Sequence, residues 1–271
     1  MRKVSPQPLR GDLEQGTALS EGRSSRDRPV FRLCRHTHGF RHRRSCKSTG
    51  HGIEIPPARG VGNGSRGAFV QWLSTATADE FRQFLIALGS SGPGVAASTP
   101  ADTYLATHPI AKSFLESQQP PPVSYATLSY FGVNSFKFTN AQGQVSFGRY
   151  RIEPQTGNQF LSEEEIAKAA PGYLAEEIRQ RVARAPVRFN FHVQLSEPGD
   201  KIDDPSIAWP DTRKTVEIGV IEIMKAVPDS DAAERILIFL PAELPAGIEP
   251  GDPMIQARSA SYIVSYGRRH Q

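Results

Sequence analysis

Val187, Phe189, Phe191, Val193 and Leu195 alternate with Arg188, Asn190, His192 and Gln194. A strict period of two puts all five apolar side chains on one face of an extended strand and the polar ones on the other. The chain must therefore supply a sheet with one covered face. Two further segments fit as its partners. Asn134 to Asn140 and Gln144 to Ile152 flank Ala141-Gln142-Gly143, the pattern of a hairpin. A third runs from Thr215 to about Ala226. Helical periods lie elsewhere. Phe81, Phe84, Leu85 and Leu88 recur at i, i+3, i+4 and i+7, predicting a helix over 79–88. Residues 103–117 predict another, ended by Pro120-Pro121-Pro122. Ser162-Glu163-Glu164-Glu165 is a capping box opening a helix over about 163–184. Antiparallel strands with separate helices make an α+β class.

The last helix carries the most suggestive chemistry. Asp252-Pro253 reads as its start, with Asp252 as N-cap and Pro253 at the first helical position, where a missing N–H costs nothing. Arg258 and Tyr262 lie four residues apart and so share a face. A guanidinium beside a phenol favours the phenolate. A phenolate is a hard anionic ligand suited to ferric iron. By itself, Arg-x-x-x-Tyr describes an ordinary surface or packing pair equally well.

Charge and composition divide the chain. Of its 271 residues, 1–66 hold 14 basic and 5 acidic, leaving 18 basic and 23 acidic for the rest. Both cysteines, Cys34 and Cys46, and four of the seven histidines also fall in 1–66. This stretch is Arg-, Gly-, Ser- and His-rich with little periodicity, the composition of a poorly ordered or scrambled segment. The domain reading is accordingly 1–66 and 67–271. A nucleic-acid-binding arm is a poor account of the segment, because 32–66 hold one aromatic, Phe40, where interleaved aromatics are wanted. Zinc is a poor account too, since Cys34, His36, His38, His42 and Cys46 match no known ligand spacing. A shifted reading frame would give the same abrupt loss of pattern. No run of about 18 apolar residues is present, which argues against a membrane span. No apolar leader is visible, so the expected location is cytoplasmic, with the periplasm as alternative if a leader is missing.

From about residue 74 to 271 the chain resembles the haem catalases, and within them the short catalase-related peroxidases. The words run in the family's order. Ala76-Thr77-Ala78-Asp79-Glu80-Phe81 comes first, then Phe136-Lys137-Phe138-Thr139-Asn140 and Phe189 to Ser196. Trp209-Pro210 precedes the strand Val216 to Ile223. Phe239-Leu240-Pro241 stands where the family has Phe-Asp-Pro, and Pro245-Ala246-Gly247-Ile248-Glu249-Pro250 follows. Arg258-x-x-x-Tyr262 closes the series.

The resemblance implies an antiparallel β-barrel wrapped by helices, with haem b held between them. Its expected activity is decomposition of hydrogen peroxide or peroxide-dependent oxidation of a small organic reductant, in oxidative-stress defence. It implies Tyr262 as the axial iron ligand, the arrangement known for catalase haem. Arg258 would stabilise the phenolate, Phe81 would lie against the porphyrin, and Arg151 and Arg269 would meet propionates. It leaves room for a homo-oligomer and calls for neither nucleic acid nor membrane. The family's distal half is harder to find. Where its distal His is expected, this chain has Pro8, and the distal Asn is also missing. Of the spare histidines, His51, between Gly50 and Gly52, is the candidate general acid–base. The alternative is a haem-binding relative with little or no turnover.

Overall fold

The alternating segment forms the centre of the sheet. In the computed structural model, which describes residues 30–33, 70–91 and 98–270, it is strand β5, Val187–Leu195. Val187, Phe189, Phe191 and Val193 are buried, as the period requires. On one side β5 pairs antiparallel with β4, Val145–Pro154, and on the other with β6, Thr215–Ile223. A bulge lies opposite the step from Phe191 to His192, which pair with Gly219 and Glu217, so Ile218 is the extra residue. The far edge of β4 is shared. β2, Tyr130–Phe131, and β3, Phe136–Thr139, both pair with it. β7, Ile248–Pro250, adds antiparallel to β3, and β1, Val30–Leu33, adds parallel to β6.

The seven described strands run β1-β6-β5-β4-β3-β7, with β2 beside β4, and this path stays open. The barrel expectation is corrected to that extent. Closure would require the short edges, four residues in β1 and three in β7, to pair with each other or with further strands. The α+β class holds. The core on the sheet's inner face is made by Phe136, Tyr150, Ile152, Phe189, Phe191, Val193 and Ile221, joined by Val182 and Ile255 from two helices. Tyr150 stacks on Phe191 at 5.3 Å and tilts against Phe136 at 5.2 Å.

Helices are shorter than the patterns predicted, and proline is the reason. The stretch 103–117 falls in two helices, α2, Pro100–Thr107, and α3, Pro109–Glu116, each with proline at its start. Pro109 cannot continue a helix from His108, because it lacks the N–H and crowds the preceding turn. The stretch 163–184 also divides, into α4, Glu163–Lys168, and α5, Tyr173–Arg184. Between them lie Pro171 and Gly172, the latter left-handed with φ 77°. The capping box at Ser162 forms as expected. Before these, α1 spans Ala78–Gly89, capped reciprocally by Thr77 and Glu80. Two further helices complete the set, α6, Ser230–Arg235, and α7, Met254–Arg268. No described helix is long and apolar enough to cross a membrane.

Candidate functional site

Two elements meet at Tyr262. The turn into β3 carries Asn134 and Ser135, and α7 begins immediately after β7. Gly251 lets them approach. Its N–H donates to the Ser135 carbonyl at 2.8 Å, and a Cβ there would stand 2.3 Å from Ser135 Oγ. Asp252 then fastens the corner. The helix begins at Met254 with Pro253 in the cap position, one residue later than the sequence suggested, and the Asp252 carboxylate accepts from Met254 N at 2.9 Å. It also accepts from Ser135 N at 2.9 Å and from Asn134 Nδ2, which reaches both oxygens at 3.0 and 3.1 Å. Burial pushes Asp252 above the usual carboxylate range, against the lowering effect of these hydrogen bonds and of the Arg149 charge.

From Asn134 the network continues to the ligand candidate. Arg258 donates through Nη1 to Asn134 Oδ1. It donates through Nε and Nη2 to Tyr262 Oη at 3.0 and 2.7 Å. A carboxylate, an amide, a guanidinium and a phenol thus stand in one hydrogen-bonded series. Both guanidinium bonds on the phenol oxygen favour its anionic form. The predicted Arg258–Tyr262 pair is therefore in direct contact.

The other expected site residues lie elsewhere. Phe81 is on α1, 40% exposed, with its ring 6.5 Å from that of buried Phe84. Arg151 is on β4, buried, and donates through Nη2 to Gln71 Oε1 at 2.5 Å and to Asp211 Oδ1 at 2.8 Å. Arg269, just past α7, donates to the Leu237 carbonyl at 2.8 Å and lies exposed. His192 is placed between two carboxylates, with Nδ1 3.2 Å from Glu153 and Nε2 3.9 Å from Glu217. His51 and the cysteine–histidine cluster lie outside the described residues. Among the described residues no group of three or more His, Cys, Asp or Glu is placed to hold a metal ion.

Sequence reasoning missed Asn134. An asparagine in a turn is an unremarkable sequence feature, and nothing local links it to a helix 124 residues later. Asp252 was found, but only as a helix cap.

A family model described as Catalase matches residues 105–270, well over half of the chain and all of the corner just described. The chain belongs to the catalase family. A catalase-related peroxidase from Synechococcus elongatus is 39% identical over 158 residues, 58% of this chain and 46% of the relative. One from Mycolicibacterium paratuberculosis is 33% identical over 186 residues, 67% of this chain and 59% of the relative. These matches agree with the short catalase-related branch. The chain spans about half the length of these relatives. Solved structures agree on fold. A fungal catalase superposes with a TM-score of 0.63 at 17% identity, covering 74% of this chain and 43% of that one. A bacterial catalase gives 0.62 at 15%, covering 74% and 42%.

Proposed function

We propose that the chain binds haem b through Tyr262 and supports oxidations driven by hydrogen peroxide. The peroxide is either decomposed or used to oxidise a small organic reductant. The observation that carries this reading is the pair of guanidinium hydrogen bonds on the Tyr262 oxygen, inside the segment matched to the catalase family. A phenol has an ordinary pKa of about 10, so an anionic ligand at neutral pH needs a stabilising partner. Ferric iron would supply most of that stabilisation and Arg258 the rest.

Haem, when bound, supplies the redox chemistry that side chains lack. The chain's own residues hold and tune it. Tyr262 would offer the oxygen ligand, and the two hydrogen bonds from Arg258 would favour its anionic form. Phe81, with much of its ring uncovered, offers an apolar contact for the macrocycle edge. Arg269 is exposed and suits a propionate carboxylate; Arg151 would share its guanidinium with Asp211. His51 is proposed, from the sequence alone, to take the proton from peroxide and return it to the departing oxygen.

Two measurements test the reading. Purified protein loaded with haem should show a Soret band of a ferric phenolate complex. It should evolve oxygen from hydrogen peroxide, or oxidise an organic donor, faster than the same amount of free haem. His51→Ala should lower that rate by about 10²–10⁴-fold, the range for loss of a general acid–base. A protein that retains no haem, or a loaded protein no faster than free haem, would overturn the assignment. An unchanged rate in His51→Ala would remove only that residue from it.

A further inference from the structure

We propose that α1, α2 and α3 form a hinged layer, latched onto the sheet by the Gln71 amide, whose opening admits and releases haem. The gating part rests on the reading of haem held between Phe81 and Tyr262; the latch does not. The layer has a packing of its own. Phe84 on α1 stands 5.9 Å from Tyr104 on α2 and 6.5 Å from Phe114 on α3. Tyr104 Oη donates to the Glu80 carbonyl at 3.2 Å. Ser91 Oγ donates to the Ala87 carbonyl at 2.7 Å and accepts from Ala101 N at 2.8 Å. The core of the sheet takes Val182 from α5 and Ile255 from α7 but, among the described residues, no side chain from α1, α2 or α3. Two packed units that share no apolar core are free to move against each other about a hinge.

The joint between them is polar. Gln71 stands where the chain enters the layer. Its Oε1 accepts from Arg151 Nη2 at 2.5 Å, and its Nε2 donates to Asp211 Oδ1 at 2.9 Å. Arg151 Nη2 also donates to Asp211 Oδ1 at 2.8 Å, so three side chains close a ring. Two of them belong to the sheet side. Arg151 is buried on β4, and Asp211 lies in the loop between β5 and β6. The bond from Gln71, followed by that from Arg151, holds the Asp211 carboxyl below the usual carboxylate range. Two residues on, Leu73 N donates to the Pro205 carbonyl of the same loop at 2.9 Å. Past α3 the chain is anchored again, where Val123 N donates to the Gln159 carbonyl and Leu161 N to the Pro121 carbonyl, both at 2.9 Å. The layer thus pivots on 117–120 and is latched at 71–73. Asp211 is exposed, so water competes for the latch and opening costs little.

The experiment reads the latch and the gate separately. In the apoprotein, 15N NMR follows hydrogen exchange at three backbone amides. The Leu73 N–H crosses the joint, the Phe84 N–H lies within α1, and the Val193 N–H lies within β5. Gln71→Leu removes both amide bonds and leaves Arg151 on Asp211. It should speed exchange at Leu73 by about tenfold, as the loss of hydrogen bonds to charged groups implies. Exchange at Phe84 and Val193 should not change. Should this variant not fold, Gln71→Ala makes the same comparison. Unchanged exchange at Leu73 would overturn the latch. Equal acceleration at Phe84 would overturn the hinge, because the layer would then melt rather than move as a body. Stopped flow with haem reads the gate. Gln71→Leu should raise the rates of haem association and dissociation by a similar factor, with affinity near that of wild type, since the closed form still dominates. Unchanged haem rates beside faster exchange at Leu73 would overturn the gating. A wild type that takes up no haem would instead overturn the haem reading, while the apoprotein exchange still decides the latch.

Discussion

Around Tyr262 the polar groups are tightly partnered, whereas around Phe81 apolar surface faces outward. In the first region Asp252 accepts from three groups on two elements, and Arg258 spans Asn134 and Tyr262. In the second, α1 buries Phe84 and Ala87 but leaves Phe81, Leu85 and Ile86 at 40, 50 and 54% exposure. The helical layer is held instead by Phe84, whose ring stands 5.9 Å from Tyr104 on α2 and 6.5 Å from Phe114 on α3. The difference teaches what each region needs. The corner keeps its geometry from hydrogen bonds within the chain. The outward face of α1 gains little from this chain's described residues, so its apolar side chains have value only when something apolar rests on them.

The largest effect that would break this contrast is at Tyr262. Tyr262→Phe keeps the ring and removes the oxygen proposed as ligand. The fold should persist, with a stability change of about 1 kcal/mol from the lost hydrogen bonds. The ferric phenolate spectrum should disappear entirely. Absorbance after haem loading and a urea melt read both quantities. A variant with unchanged occupancy and spectrum means that the corner is structural and the ligand lies elsewhere.

Next in size is a comparison within α1. Phe84 is 3% exposed, so Phe84→Ala should cost about 3–5 kcal/mol through lost burial and the cavity left behind. Phe81→Ala should cost within about 0.5 kcal/mol in the apoprotein, as exposed substitutions do. Its effect should appear instead as faster haem loss. Equal costs in the apoprotein would show that Phe81 is ordinary core and dissolve the contrast. Smaller again is Gly251→Ala. The added Cβ would meet the Ser135 backbone at 2.8 and 2.9 Å, so α7 must shift from β3. About 1–3 kcal/mol of destabilisation is expected from such overpacking. A shift of the phenolate-to-iron charge-transfer band should accompany it if the corner positions Arg258. A stability loss with no spectral change would uncouple the two.

These regions also differed in how far the sequence exposed them. Period two at Val187 to Leu195 announced β5, and its burial followed. The Arg258–Tyr262 contact was legible because i and i+4 are neighbours on any helix, whatever surrounds them. The capping box at Ser162 was equally local. Asn134 was invisible because its partners, Arg258 and Asp252, are joined to it only by the tertiary fold. The strand β7 was missed for a related reason. Three residues ending in proline have no period to read, and pairing with β3 alone makes them a strand. In α1 the heptad-like pattern suggested that Phe81, Phe84, Leu85 and Leu88 share one buried face. The structure buries Phe84 and Ala87, because α1 turns that side toward α2 and α3. Pattern gives the apolar stripe, but which part of it is covered depends on the neighbours.

The smallest effect concerns pH, and it sets the corner against the periphery through two carboxylates. Asp252 is raised by burial. Asp200, in the loop after β5, is lowered, chiefly by its hydrogen bonds to Arg213 at 2.9 and 3.0 Å. The linkage signs are opposite. For Asp200 the folded value lies below the unfolded one. Its contribution is present above the ordinary carboxylate value and is lost as pH falls through the folded value. For Asp252 the folded value lies above. Its contribution is fully present below the ordinary value and declines as pH rises through the folded value. Asparagine cannot ionise at either place, so the two variants report these slopes directly. The destabilisation by Asp200→Asn should grow as pH rises from about 3 to 6, whereas that by Asp252→Asn should shrink over the same range. Urea midpoints of wild type and both variants at several pH values give the two curves. Curves that slope the same way would mean that burial at the corner does not dominate Asp252, and that its hydrogen bonds to Asn134, Ser135 and Met254 hold it as Arg213 holds Asp200.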